Sequence, residues 1–133
     1  MTHKVLQVLY VEDDEDIRSI AEMALEDEGF EMMICESGQE AISKAADARP
    51  DILLLDVMMP GMDGPTTLKN LRELPHLATT PVIFMTAKVQ QTEVDEYLAM
   101  GALGVIAKPF DPMTLGETIR DMVEHKYGRD HYG

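Results

Sequence analysis

Ile52, Leu53, Leu54 and Leu55 run together and end in a single carboxylate, Asp56. Four successive large aliphatics have neither the helical nor the alternating period. A short run of this kind, closed by the turn signal Pro60-Gly61, suits a strand buried on both faces. Such strands lie inside parallel sheets whose two faces are covered by helices. In open sheets of this class, ligands and chemistry gather beyond the carboxyl ends of the strands. Asp56 stands at that end. Asp is also common at turns, so the other strand ends carry the decision about its role.

The rest of the chain supplies four more strands. Residues 5–11 are apolar but for Gln7 and predict the first. The acid run Glu12-Asp13-Asp14-Glu15-Asp16 follows. Ile17, Ile20, Ala21, Ala24 and Leu25 then recur at helical spacing to about Glu28, with Gly29 as the stop. Residues 30–35 predict a second strand. Ser37-Gly38-Gln39-Glu40 has capping-box spacing. Ala41, Ile42, Ala45 and Ala46 form the apolar face of the helix it opens, which Arg49-Pro50 closes. After the Asp56 strand comes the loop Gly61-Met62-Asp63-Gly64-Pro65. A helix is then expected from Thr66 to about Leu74, with Leu68 and Leu71 inward. Residues 82–86 predict a fourth strand, residues 92–100 a helix stopped by Gly101, and residues 104–107 a short fifth strand. Asp111 is the expected N-cap of the last helix, with Pro112 at its first position. Leu115, Ile119, Met122 and Val123 are its buried side. From Tyr127 on the chain is polar and expected to fray, leaving a core of about residues 5–126 and a tail of 127–133.

Strand and helix thus alternate five times through short connections. That pattern predicts one α/β domain, a doubly wound five-stranded parallel sheet with helices on both faces. A length of 133 residues suits one such domain. Eleven Lys and Arg against 25 Asp and Glu give a net charge of −14. That balance argues against a nucleic-acid or anionic-membrane surface and permits a cation site. The single Cys35 excludes an internal disulfide and a cysteine-based zinc site. His3, His76, His125 and His131 show no metal-ligand spacing. No signal peptide or membrane-length apolar stretch is visible, so a cytoplasmic protein is expected. Eleven methionines, most at strand or helix-face positions, are expected to fill the core.

Glu12-Asp13 follow the first strand, Asp56 ends the third, Thr86 the fourth, and Lys108 follows the fifth. Parallel strands would gather these groups at one edge. Three carboxylates together repel one another unless a cation lies between them. A hard divalent ion with oxygen ligands suits the place, and Mg²⁺ suits a site with few protein ligands and several waters. A carboxylate beside that ion can act as a nucleophile toward a phosphoryl group. Lys108 and the ion would neutralise the charge that moves during transfer, and Thr86 could donate to a phosphoryl oxygen.

These residues resemble the receiver domain of bacterial two-component response regulators, the CheY-like family. The resemblance covers about residues 5–123. It rests on Glu12-Asp13, Asp56, the loop Met58-Met59-Pro60-Gly61-Met62-Asp63-Gly64, Thr86-Ala87 and Lys108-Pro109-Phe110. It implies strand order 2-1-3-4-5 and Asp56 as phosphoacceptor, charged by a histidine kinase or phosphotransfer protein. It implies Mg²⁺, replaceable by Mn²⁺, on Asp13, Asp56 and the Met58 backbone carbonyl, with Glu12 acting through water. Lys108 and the Thr86-Ala87 pair would contact the phosphoryl group, with Thr86 moving toward it as the switch. The Lys108-Pro109 peptide is expected to be cis. A downstream protein, or a second phosphorylated copy, would dock on the surface made by the helix near residues 92–100, the fifth strand and the last helix. Where the family usually carries Tyr or Phe in the fifth strand, this chain has Val105.

Three other readings compete. A haloacid-dehalogenase-like phosphatase needs a second acid two residues after the nucleophile, and Met58 stands there. A flavin carrier needs a Ser/Thr/Gly-rich phosphate loop after the first strand, where this chain has acids that would repel phosphate. A receiver excised from a longer transcriptional regulator would read the same way, though no basic or helix-turn-helix segment is present. The receiver reading is a signalling domain rather than an enzyme.

Overall fold

The computed structural model describes residues 5–132, with side chains as far as His125. Five parallel strands form one sheet: β1 (Gln7–Val11), β2 (Glu31–Cys35), β3 (Ile52–Asp56), β4 (Val82–Thr86) and β5 (Gly104–Ala107), in the order β2-β1-β3-β4-β5. The helices are α1 (Glu15–Asp27), α2 (Gly38–Ala45), α3 (Gly64–Arg72), α4 (Gln91–Ala99) and α5 (Leu115–Tyr132). The expected fraying from Tyr127 falls beyond the residues whose side chains are described.

β3 explains the arrangement. All five of its residues are buried, and it pairs with β1 on one side and β4 on the other. Alternate side chains feed two cores. Leu53 and Leu55 join Phe84, Leu68 and Leu71 on the α2–α3–α4 side. Ile52 and Leu54 join Tyr10, Leu25 and Ile119 on the α1–α5 side. Full burial of such an aliphatic stabilises the fold by roughly 1.5–3 kcal/mol, so the strand with no exposed face anchors both layers. The reversal of strand order lies between β1 and β3, where the cleft of this sheet class opens.

Several local expectations are corrected. The last helix starts at Leu115, not Pro112. Asp111 caps a turn instead, accepting from the backbone N–H of Met113 through Oδ1 at 2.9 Å. α3 starts earlier than Thr66, because Asp63 caps it by accepting from the Thr66 N–H at 2.8 Å. α2 ends at Ala45, well before Pro50, and Ala46 is exposed. Ile20 is 49% exposed although its spacing puts it on the apolar stripe of α1. The methionines divide: Met59 and Met85 are buried, but Met23, Met58, Met100 and Met113 are exposed. Ile20, Met23, Pro112 and Met113 instead line an open apolar groove on the α1 side. Tyr97, by contrast, is the buried residue of α4.

Candidate functional site

Parallel pairing brings the C-terminal ends of β1 and β3 side by side, with Val11 opposite Leu55. Glu12 follows β1 and is fully buried, and Asp56 closes β3 with 2% exposure. Asp13 is exposed beside them. Carboxylate oxygens of these three residues lie within 4.8 Å of one another. Lys108 follows β5 and reaches across the sheet. Its Nζ donates to Glu12 Oε1 at 3.0 Å and to Asp56 Oδ1 at 2.8 Å. One ammonium is therefore shared by two buried carboxylates. The other oxygen of Asp56, Oδ2, is buried without a hydrogen-bond partner.

The acid run divides by role. Asp14 caps α1, its Oδ1 accepting from the Ile17 N–H at 3.0 Å. Glu15 and Asp16 lie in the first turn, where the helix dipole favours acids. Only Glu12 and Asp13 turn toward Asp56.

Burial dominates the electrostatics. It pushes the Glu12 carboxyl up to about 7, against the opposing pull of Lys108. It raises Asp56 too, again against Lys108. Burial alone would lower Lys108, but its hydrogen bonds to the two carboxylates raise it above the usual lysine range. Three acids with one ammonium leave net negative charge in a poorly solvated cleft, which suits a hard cation.

Thr86 ends β4 and is buried, and its Oγ1 accepts from the Lys88 N–H at 3.0 Å. Ala87 is exposed beside it. Met58 extends from the loop after β3 with its side chain in solvent. The Lys108–Pro109 peptide is cis. Val105 is partly buried against the α2–α3–α4 core.

Gly64 closes the loop behind Asp56. A Cβ there would stand 2.5 Å from the Asp56 carbonyl oxygen and 2.9 Å from the Val57 Cα. Only glycine lets the start of α3 approach the phosphoacceptor candidate's backbone so closely. Its N–H donates to the Val57 carbonyl at 2.9 Å.

Two residues near the site were passed over by sequence reasoning. Tyr10 reads as one member of an apolar strand, yet its hydroxyl is buried without a hydrogen-bond partner. Burial, then the charges of Glu12 and Asp56, raise that phenol far above its ordinary value. Arg18 reads as an ordinary charge on a helix. Its guanidinium instead turns back onto the loop carrying Glu12 and Asp13. The i+4 offset from Asp14 could have suggested proximity to the loop, but not its carbonyls as partners.

The family model for the response regulator receiver domain matches residues 8–120. The chain belongs to that family. Receiver domains are signalling modules of two-component systems, and phosphorylation and magnesium binding are typical of them. This receiver is 39% identical over 113 residues to the transcriptional regulatory protein CseB of Streptomyces coelicolor, covering 85% of this chain and 47% of that protein. The chain thus spans about half the length of that curated relative. The chemotaxis protein CheY4 of Vibrio cholerae superposes with a TM-score of 0.83 at 34% identity, over 90% of this chain and 99% of that one. The receiver domain of a Pseudomonas aeruginosa sensor histidine kinase, solved with a magnesium ion coordinated in its active site cleft, gives 0.78 at 25% identity, over 90% and 98% of the two chains. Among the described residues, no helix of this receiver is long and apolar enough to cross a membrane.

Proposed function

We propose that Asp56 accepts the phosphoryl group of a phosphohistidine on a sensor kinase or phosphotransfer protein, in the cytoplasm. One observation carries this reading. Lys108 holds Oδ1 of Asp56, while Oδ2 is buried with no hydrogen-bond partner. That oxygen has no hydrogen bond to give up when it bonds to phosphorus. In the step, that oxygen forms the new O–P bond as the P–N bond to imidazole breaks, and the electron pair leaves on the imidazole nitrogen.

The donor set fits a divalent cation. Three carboxylates converge, and the loop bearing Met58 follows Asp56 directly. Asp13, Asp56 and the Met58 carbonyl would hold Mg²⁺, or Mn²⁺ in its place, with Glu12 acting through water. The Pseudomonas receiver with its coordinated magnesium supports that assignment. Bound there, the ion would neutralise phosphoryl oxygens during transfer. Lys108 supplies a second positive charge and stays paired with Asp56 when the carboxylate becomes an acyl phosphate. Thr86 gives up its acceptor role toward Lys88 and donates to a phosphoryl oxygen, with Ala87 moving along.

The downstream partner, or a second phosphorylated copy, would read the change on the surface of α4, β5 and α5. Exposed Val89, Leu98 and Met100 at α4 give that surface apolar contact area.

The test is intact mass after incubation with acetyl phosphate and Mg²⁺. Wild type should gain one hydroxylamine-labile phosphoryl group, and Asp56→Asn none. Equal uptake by Asp56→Asn would end the proposal.

A further inference from the structure

We propose that Arg18 is a positioning residue for the cation site, acting through the backbone of the loop that carries Glu12 and Asp13. Arg18 follows the Asp14 cap by one turn of α1, its N–H bonded to the Asp14 carbonyl at 2.9 Å. Its side chain turns back rather than out, and is only 13% exposed. Nη1 donates to the Glu12 carbonyl at 2.8 Å and reaches the Asp13 carbonyl at 3.5 Å. Nη2 lies 3.6 Å from Glu36 Oε1, in the loop after β2. The Glu12 N–H in turn donates to the Cys35 carbonyl at 3.1 Å. The stretch that bears two of the three converging carboxylates is thus held from both sides, by Arg18 Nη1 from α1 and by the end of β2.

Two effects of this arrangement oppose each other at the cation site. A guanidinium next to an acidic cation site repels the cation through its charge. Arg18 directs its two shorter contacts to backbone carbonyls, not to the carboxylates themselves. One nitrogen, Nη1, faces both adjacent carbonyls while Nη2 faces Glu36, so the planar group is oriented from two sides and holds the loop in turn. Groups that orient ligands without touching a metal are typically worth about 10–100-fold in its affinity. Electrostatics and positioning therefore predict opposite signs. Removing Arg18 tightens cation binding if its charge matters most, and weakens it if its hold on the loop matters most.

The inference rests on the cation site proposed above. The experiment is a calorimetric Mn²⁺ titration at constant ionic strength, well below the thermal midpoint of each variant. It compares wild type, Arg18→Met, Arg18→Lys and Asp13→Ala. Arg18→Met should weaken Mn²⁺ binding by about tenfold, and Arg18→Lys, which keeps the charge on a single donor nitrogen, should fall between it and wild type. Wild-type or tighter affinity in Arg18→Met overturns the positioning role. If Arg18→Met does not fold, Arg18→Lys decides alone: severalfold weakening supports the role and unchanged affinity overturns it. Asp13→Ala separates the two readings. Should it bind Mn²⁺ like wild type, the cation site itself is wrong; should it lose binding while the Arg18 variants keep it, only the role of Arg18 is wrong.

Discussion

Nζ of Lys108 stands 2.8 Å from Oδ1 of Asp56, although the two residues are 52 positions apart and Glu12 competes for the same ammonium 3.0 Å away. Two buried acids on one cation cannot both be comfortable as carboxylates. Burial gives Glu12 the excess proton affinity, with its carboxyl at about 7.

This arrangement sets a pH dependence. A group that holds its proton more tightly folded than unfolded stabilises the fold while protonated. The Glu12 contribution is fully present below the ordinary carboxylate value of 4.5 and is lost as pH rises through about 7. Without divalent ions, the thermal midpoint should therefore fall between pH 5 and pH 8. The net charge of −14 works in the same direction, so Glu12→Gln is the control. Its midpoint should vary less over that window than that of wild type. Identical slopes would show that Glu12 does not carry the effect.

Gly64→Ala should be severe. The added methyl would sit 2.5 Å from the Asp56 carbonyl oxygen, and backbone cannot yield as a flexible side chain can. Overpacking of this kind costs about 1–3 kcal/mol. Urea unfolding should show that loss, and phosphoryl uptake should drop as β3 shifts. Gly61→Ala is the contrast. There, nothing lies near the added methyl, and the cost comes only from its φ of 81°.

The switch should depend on a ring in α4. Tyr97 packs on Phe84 with centroids 5.1 Å apart, and Phe84 pairs in register with Val105, two residues before Thr86. Tyr97→Ala should cost about 3 kcal/mol and weaken the α4 response to beryllofluoride. Val105→Ala should cost about 1 kcal/mol and leave that response in place. Thr86→Ala should take up phosphate yet lose the response. Backbone amide shifts read all three, and a response lost in Val105→Ala but kept in Tyr97→Ala would reverse the assignment.

Phosphoryl lifetime should follow Met58 and Lys88. Met58 offers no group to orient water, and Lys88 is exposed beside Thr86, so the acyl phosphate should decay slowly. Met58→Asn with Lys88→Glu should change the decay rate measured by phosphate release. Unchanged decay would exclude both positions.

The sequence by itself determined the five strands and their parallel α/β pattern, while their order followed only from the family resemblance. Strand β3 was legible because full burial leaves a local mark, an unbroken aliphatic run, and β4 and β5 were bounded by Pro81 and Gly104 for equally local reasons. The convergence of Glu12, Asp13, Asp56 and Lys108 into a candidate site was legible because each stands at or just after a strand end, and parallel strands put all such ends at one edge. Helix faces were less legible. Periodicity places Ile20 on the stripe of α1 but cannot say how far the neighbouring elements extend over it, and they stop short. Nor does local pattern show that Asp111 caps a turn rather than α5. Only tertiary structure decided the pairings: Lys108 with Glu12, 96 positions away, Tyr97 with Phe84, and Arg18 folded back on the Glu12 carbonyl. Each joins groups whose partner depends on how separate elements pack, and no residue type or spacing encodes that by itself.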